Sequence, residues 1–473
     1  FNMTTLLTRY ALRISILMIF FLLLLCLWFV FGVDIYSLRG DQMRWVGLID
    51  KMYQGQLCWS DLWAPHGPHH NPAYRIIFLA NAKYFNLNMQ LEQILGAIAW
   101  AGAAAVAVWG IARHYAGNEQ RLAMALVIIT TPFLVINGQV FRTVLHYSLI
   151  SLRMLNMMFF FLIFILLSRT LNREPRYVDS IILTLLIIFF SLFFGRSWGQ
   201  AMLVTVFLTM LAYAFVRTRY LTREKIMKTI FPLALTVVAC IFVYQIGLHW
   251  TTADESRLVK LLNLSIIPYV ITLFGRTLTN QNIDVAGGED ISLVMLVGSL
   301  VIAIYALAMY LFFSRKYYLN GWFPLCMMLF SLVAVISVYL GRGVTLGGGW
   351  QSALFPRHLP ECSVGLVGAL SIIALYVKQS RIWPMVIAAL CIIIIINQSV
   401  AIVNTLDRIP FIARNEVKKL RVFFGPTSVF SDARNIKKAE CHTRELCMDV
   451  RKVVDGYNLM KKGREKAKSS LRK

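Results

Sequence analysis

Long uncharged apolar runs constrain this chain more than any other feature. Ile16 to Val33 and Trp383 to Val403 contain no Asp, Glu, Lys or Arg. A helix on a soluble core keeps its apolar residues to one stripe, and a half-buried strand alternates them. Runs that are apolar on every side for roughly 20 residues match instead a helix crossing the hydrocarbon core of a bilayer, where each backbone N–H and C=O must be bonded inside the segment. The rest of the composition agrees. Hydrophobic residues make up 58% of the 473 and charged residues 15%, whereas soluble domains run near a quarter charged. A water-soluble fold is excluded, and the chain is expected to be an all-α polytopic membrane protein.

Eleven spans are expected, at about residues 11 to 33, 93 to 112, 122 to 141, 150 to 168, 181 to 195, 197 to 215, 229 to 248, 291 to 313, 321 to 340, 361 to 377 and 383 to 403. Only Gly195, Arg196 and Ser197 separate the fifth from the sixth. Arg196 favours a turn over one kinked helix, since a charge at the bilayer centre costs ~3 kcal/mol or more. Met3 to Arg13 lead into the first run with no small-residue cleavage site, so this run is expected to be a retained helix and not a removable signal peptide. The stretch Leu261 to Phe274, broken by Pro268, is expected to be interfacial or re-entrant.

The net charge of +24 does not point to nucleic acid, because the basic residues sit in short clusters between apolar runs and not on one soluble face. Arg9/Arg13, Arg113/Arg121, Arg169/Arg173/Arg176, Arg217 to Lys228, Arg315/Lys316 and Lys378/Arg381 fall in every second connection. By the positive-inside rule these face the cytoplasm. The segments 34–92, 249–290 and 341–360 are then exported. Residues 1–403 form the membrane domain, and 404–473 an exported, small, mainly helical tail that leans on the membrane part. The tail is strongly basic and by charge alone prefers the inside, but long terminal segments translocate regardless of charge. Cys26, Cys240, Cys326 and Cys391 lie within apolar runs and act as small hydrophobes, while Cys441 and Cys447 invite a disulfide.

Chemistry is expected in the exported segments. The first holds Asp34, Asp41, Asp50, Asp61, His66, His69 and His70 beside Arg39, Arg44, Lys51 and Arg75. Asp41, in Arg39-Gly-Asp41-Gln42 just beyond the first run, is placed to take a proton from a hydroxyl as a general base, or stands as a solvated loop carboxylate. His66, His69 and His70 read as polar loop or substrate contacts ahead of a metal site, because Pro65 and Pro68 rule out the regular helix that a zinc motif uses. A second group, Arg142 with His146, Arg196, Arg342 and Arg357-His358, shares one depth at exported helix ends. A lipid phosphate sits at that level and takes the bidentate fork of arginine, although snorkelling arginines look the same in sequence.

The layout resembles the GT-C class of membrane glycosyltransferases: a short N-terminus, one helix, then Arg39-Gly-Asp41-Gln42 in a long acidic segment. Trp63-Ala-Pro-His66-Gly-Pro-His69-His70-Asn71-Pro-Ala-Tyr74-Arg75-Ile-Ile is similar to a His-Asn-Glu-His-Arg-Ile segment of bacterial members. The acidic residue of that segment is missing here, so His70, Asn71 and Arg75 carry over as substrate contacts, with Asp61 beside them. Phe355-Pro356-Arg357-His358 is similar to a Ser-Arg-Tyr element in which only Arg357 carries over. Size, odd span count and exported tail also resemble the serotype-converting O-antigen glucosyltransferases of enteric bacteria and their phages.

The resemblance implies Asp41 as catalytic base and Arg357, Arg342, Arg196 and His358 at the donor phosphate. It implies undecaprenyl-phosphate glucose as donor, a lipid-linked O-antigen as acceptor, no required metal or other cofactor, and a site facing the periplasm from the bacterial inner membrane. An O-antigen polymerase and a lipid-linked sugar flippase or transporter remain open beside it. The first is disfavoured by the bulky acidic first segment, and the second by spans almost free of charge at their centres.

Overall fold

The computed structural model describes residues 3–34, 38, 41–65, 70–114, 121–146, 148–172, 174, 176–194, 196–217, 222–246, 266–279, 291–314, 321–340, 353, 359–376, 382–424 and 444–471. Every regular element among them is helical. Among the described residues eight helices are long and apolar enough to cross a bilayer: Leu7–Val33, Met89–Arg113, Leu152–Asn172, Tyr177–Phe194, Trp198–Val216, Arg223–Gln245, Ile291–Ser314 and Ile382–Leu406. Their outward faces carry the side chains a soluble protein hides. Ile16, Leu17, Phe20, Phe21 and Trp28 of the first helix are all exposed, as expected where lipid tails are as apolar as the side chains facing them. The chain is thus a helical multi-pass membrane protein.

The other three expected spans are helices too, but shorter: Leu122–Val135, Trp322–Val338 and Leu359–Leu375. The doubtful boundary at Arg196 resolves into two helices. Tyr177–Phe189 loosens into a π turn over Phe190–Phe194, and a new helix begins at Arg196. Ile266–Arg276 has 11 residues, about 16 Å at 1.5 Å per residue, which is half a bilayer core. Residues 261–265 of the expected interfacial or re-entrant stretch lie outside the described residues.

The chain divides into two compact units. The first comprises Phe1–Leu22, Trp100–Phe141 and Leu155–Val403. Its helices meet at small residues. A Cβ on Gly275 would lie 1.9 Å from the Val294 carbonyl oxygen, and one on Gly298 would lie 1.9 Å from that of Ile271. Backbone therefore touches backbone where Ile266–Arg276 crosses Ile291–Ser314. Tyr305 donates to Ser331 Oγ at 3.0 Å and to the Cys362 carbonyl at 3.2 Å, tying three helices by one phenol.

Asn397 and Gln398, the polar interruption of the last long run, have a structural use. Gln398 Nε2 donates to the Thr277 carbonyl at 2.9 Å, and Asn397 Nδ2 to that of Leu278 at 2.5 Å. Gln398 Oε1 and Asn397 Oδ1 accept from the Gly138 N–H at 2.7 Å and from Gln139 Nε2 at 3.1 Å. The end of the short helix Ile266–Arg276 thereby gains partners for carbonyls that no further helical turn can satisfy.

The second unit comprises Leu23–Ala99, Arg142–Met154 and Asn404–Lys473. Within it the segment 34–92, expected as an exported loop, holds the helices Asp41–Tyr53, Trp59–Trp63 and Pro72–Phe85. Gln42, Trp45, Val46 and Ile49 are all buried, at i, i+3, i+4 and i+7. That is an amphipathic stripe, too polar overall to register as an apolar run.

The tail supplies three helices to the same unit, Ile409–Phe424, Arg444–Gly456 and Lys461–Leu471. It is bound to the first segment by side chains. Tyr457 donates to Asp50 Oδ1 at 2.7 Å and stacks on Tyr53 with ring centres 4.3 Å apart. Lys466 pairs with Asp34 at 2.5 Å, and the Met460 N–H reaches the Asn86 carbonyl at 3.0 Å. Cys447 is disulfide-bonded. The other described cysteines, Cys26, Cys58, Cys240, Cys326, Cys362 and Cys391, are free. Cys441 lies outside the described residues.

Candidate functional site

Asp41 lies in the helix Asp41–Tyr53, shortly after the first long helix. The structure describes its backbone and not its side chain. The next residue, Gln42, is buried and donates Nε2–H to Glu92 Oε2 at 2.8 Å. Glu92 Oε1 accepts from Asn81 Nδ2 at 2.8 Å, and Asn81 in turn accepts the Asn88 N–H at 2.8 Å. The residue that follows Asp41 is thereby fixed through a buried carboxylate in the first turn of the second long helix. Sequence reading passed over Gln42 and Glu92. The available signal was an acidic residue at the mouth of an apolar run, which is rarely buried unless partnered.

Three of the four expected substrate contacts form a scaffold around the short helix Trp59–Trp63. Asp61 accepts the Cys58 N–H at 3.1 Å and the Cys58 thiol at 3.0 Å, and pairs with Lys51 at 2.5 Å. The thiol and the ammonium, in that order, hold its carboxyl well below the usual range, while Asp61 raises Lys51 in return. Asp61 is therefore a carboxylate at neutral pH with its oxygens engaged.

Arg75 is buried, and its Nη1 donates to the carbonyls of Asp61, Leu62 and Ala64 at 2.8, 3.0 and 2.7 Å. It thus caps the end of the short helix, where carbonyls lack partners. Burial lowers its pKa, with Asp61 opposing. Its guanidinium also lies 5.8 Å from the Trp45 ring centre. His70 is buried, with Nδ1 at 2.5 Å from the Trp63 carbonyl and its ring stacked on Trp63 at 4.7 Å and 17°.

Asn71 differs from these three. It is fully buried at the N-cap of Pro72–Phe85, yet its side chain caps nothing, and neither Oδ1 nor Nδ2 has a partner. An uncompensated buried amide costs ~1–3 kcal/mol, so native structures usually fill such a position. Gln93, also fully buried, carries a second unpartnered amide in the same unit.

The remaining candidates are not brought together by the described structure. Arg342, Arg357 and His358 lie outside the described residues, as do Arg39, His66 and His69. Arg196 opens the helix Arg196–Val216, and Arg142 and His146 sit in Phe141–His146, all with side chains outside the description. Among the described residues no three His, Cys, Asp or Glu side chains converge as a metal site requires. No protein family, curated protein or solved structure matches this chain. The fold alone defines its class, a helical multi-pass membrane protein, and its activity is argued from the residues.

Proposed function

We propose that the protein is an inverting glycosyltransferase of the GT-C type, moving a hexose from polyprenyl phosphate to a lipid-linked polysaccharide at the outer face of a bacterial inner membrane. Eleven helices cross the bilayer in this reading, and segment 34–92 and the tail lie in the periplasm. The disulfide at Cys447 supports an oxidising compartment for the tail.

The observation that carries the reading is the placement of Asp41 in the helix Asp41–Tyr53 just beyond the first long helix, in the unit that also holds Asp34, Asp50 and Asp61. Asp34, Asp50 and Asp61 are engaged with Lys466, Tyr457 and Lys51, and Asp41 is the base in this reading.

In the reaction Asp41 takes the acceptor hydroxyl proton, and the oxygen attacks the anomeric carbon from the face opposite the phosphate. The C1–O bond breaks with its electron pair leaving on the lipid phosphate. Arg342, Arg357 and Arg196, with His358, hold that phosphate, and the donor is undecaprenyl-phosphate glucose.

Transfer from radiolabelled polyprenyl-phosphate hexose tests this. Asp41→Asn lowers the rate at least ~100-fold with the thermal midpoint near wild type, and Asp50→Asn retains most of it. Full activity in Asp41→Asn would remove the base from this position, and lengthening of the acceptor by whole repeats would make the protein a polymerase.

A further inference from the structure

We infer that the mouth of the long helix Met89–Arg113 carries a site for the phosphate headgroup of an anionic phospholipid, built jointly with the tail helix Lys461–Leu471. A cavity of about 100 Å³ lies there, lined in part by Phe85, Asn86 and Asn88 from the approach to the long helix and by Lys461, Lys462 and Gly463 from the tail. Pockets for free small molecules run to about 300–1,000 Å³. This space admits a compact group such as a phosphate and leaves the rest of its molecule outside.

The chain sets the cavity at the level of lipid headgroups. Met89 opens one helix able to cross a bilayer, and Val33 closes another. Among the described residues no helix between them is long and apolar enough to cross, so segment 34–92 keeps both ends at one membrane face. The helix Lys461–Leu471 is tied to both ends. The Met460 N–H, just before it, reaches the Asn86 carbonyl at 3.0 Å, and Lys466 pairs with Asp34, the residue after Val33, at 2.5 Å. It therefore runs across the ends of two spans, where a bilayer has its phosphates.

Its charge faces outward there. Gly463 and Ala467 are buried on one side of the helix, and Lys461, Lys462 and Lys468 are exposed on the other. Five of its eleven residues are basic and one is acidic. Arg464 and Lys466 are engaged with Asp455 and Asp34, whereas among the described residues no carboxylate pairs with Lys461 or Lys462. On the other side of the cavity Tyr84 is 70% exposed and Phe85 54%, and Lys83 lies 5.5 Å from the Tyr84 ring centre.

Exposed rings and lysines beside the mouth of a span match the bilayer interface, where aromatic side chains sit among headgroups and each ammonium is drawn to anionic lipid. A free phosphate would meet the charge of Lys461 and Lys462 but leave Tyr84 and Phe85 in water. A phospholipid meets both, with its phosphate at the lysines and its glycerol and upper acyl chains along the rings.

The test uses the full chain reconstituted into phosphatidylcholine bilayers that carry a minor share of phosphatidylglycerol with a photoactivatable headgroup. Peptide mapping after irradiation is expected to find the label on residues 84–88 and 460–464. Lys461→Gln with Lys462→Gln lowers that labelling ~10-fold or more, and Lys461→Arg with Lys462→Arg keeps it, because the charge is retained. Both lysines are exposed and the pair of Lys466 with Asp34 is untouched, so the glutamine variant is expected to fold. Should it not, Phe85→Ser, on the other chain segment, is expected to lose labelling several-fold.

Equal labelling of these residues by a photoactivatable phosphatidylcholine overturns the site, as does unchanged labelling in the glutamine variant or in Phe85→Ser. Loss of the label to added inorganic phosphate overturns the lipid assignment in favour of a free anion. No sugar transfer enters this measurement, so its outcome is independent of the reaction proposed above.

Discussion

The two units of this protein are held together by different means. In the first, helices approach until backbone meets backbone, as at Gly275 and Gly298, and polar side chains such as Tyr305 and Gln398 serve to tie helices to one another. In the second, ion pairs and side-chain networks join segments far apart in sequence, as Lys466 to Asp34 and Tyr457 to Asp50 do. The difference follows the composition of the segments that each unit joins. Lipid gives apolar side chains no reason to leave it, so close packing and satisfied hydrogen bonds must provide the association. Outside lipid, charged groups keep their hydration and can join the surface of a fold cheaply.

The comparison breaks most readily at the glycine crossing. Gly275→Val forces a side chain into the Val294 carbonyl, which no rotamer of a neighbour can relieve, because the obstacle is backbone. The cost should exceed the ~1–3 kcal/mol typical of overpacking. The expected result is loss of monodisperse protein in size-exclusion chromatography after extraction. A normal elution profile would show that the two helices do not meet as described.

Next in size is Glu92→Ala, which leaves the buried Gln42 and Asn81 without their shared acceptor. Two buried donors losing a partner should cost about 3 kcal/mol in all. A thermal midpoint within a degree or two of wild type would place little weight on this network.

These two sites also mark what the sequence made legible. The apolar runs announce themselves because a lipid-facing helix needs no partner to explain its pattern, and each expected span contains a helix. The short helix Ile266–Arg276 could be read by its proline and its length. The helix Asp41–Tyr53 was missed because an amphipathic stripe makes sense only against the element that covers it. The stack of Trp63 on His70 bridges a stretch broken by Pro65 and Pro68, where no periodic pattern connects the two. The approach of Tyr457 to Asp50 crosses most of the chain. At the candidate site the sequence named Asp61, His70, Asn71 and Arg75 together, yet only geometry separates the three that build the scaffold from Asn71, whose amide is unengaged. Asp41 could be picked out by its position after the first run, but not the burial of Gln42 beside it.

A smaller effect is expected within the membrane unit. Tyr305→Phe removes a hydroxyl bonded to Ser331 and Cys362, while Ser331 Oγ keeps its own bond to the Cys362 carbonyl at 3.3 Å. Nothing is left wholly unsatisfied, so the loss should be near the ~1 kcal/mol net value of one hydrogen bond. A drop as large as that for Glu92→Ala would mean that the bundle, too, depends on polar ties more than on close packing.

The smallest expected effect is a dependence on pH, and it belongs to the second unit. Asp61 is held below its unfolded pKa, near 4, chiefly by the Cys58 thiol and then by Lys51. The folded state therefore binds the proton more weakly than the unfolded chain does. The stabilisation is complete above about pH 4 and is lost as pH falls through the lower folded value. Lys51 on the other side of the pair is well exposed, so solvent and salt screen the contribution and it should be modest. Thermal midpoints of wild type and Asp61→Asn measured from pH 7 down to pH 3 should differ at neutral pH, and the difference should begin to narrow below about pH 4. Parallel curves across that range would show that Asp61 does not titrate with folding and that its bonds to Cys58 and Lys51 contribute nothing measurable to the short helix.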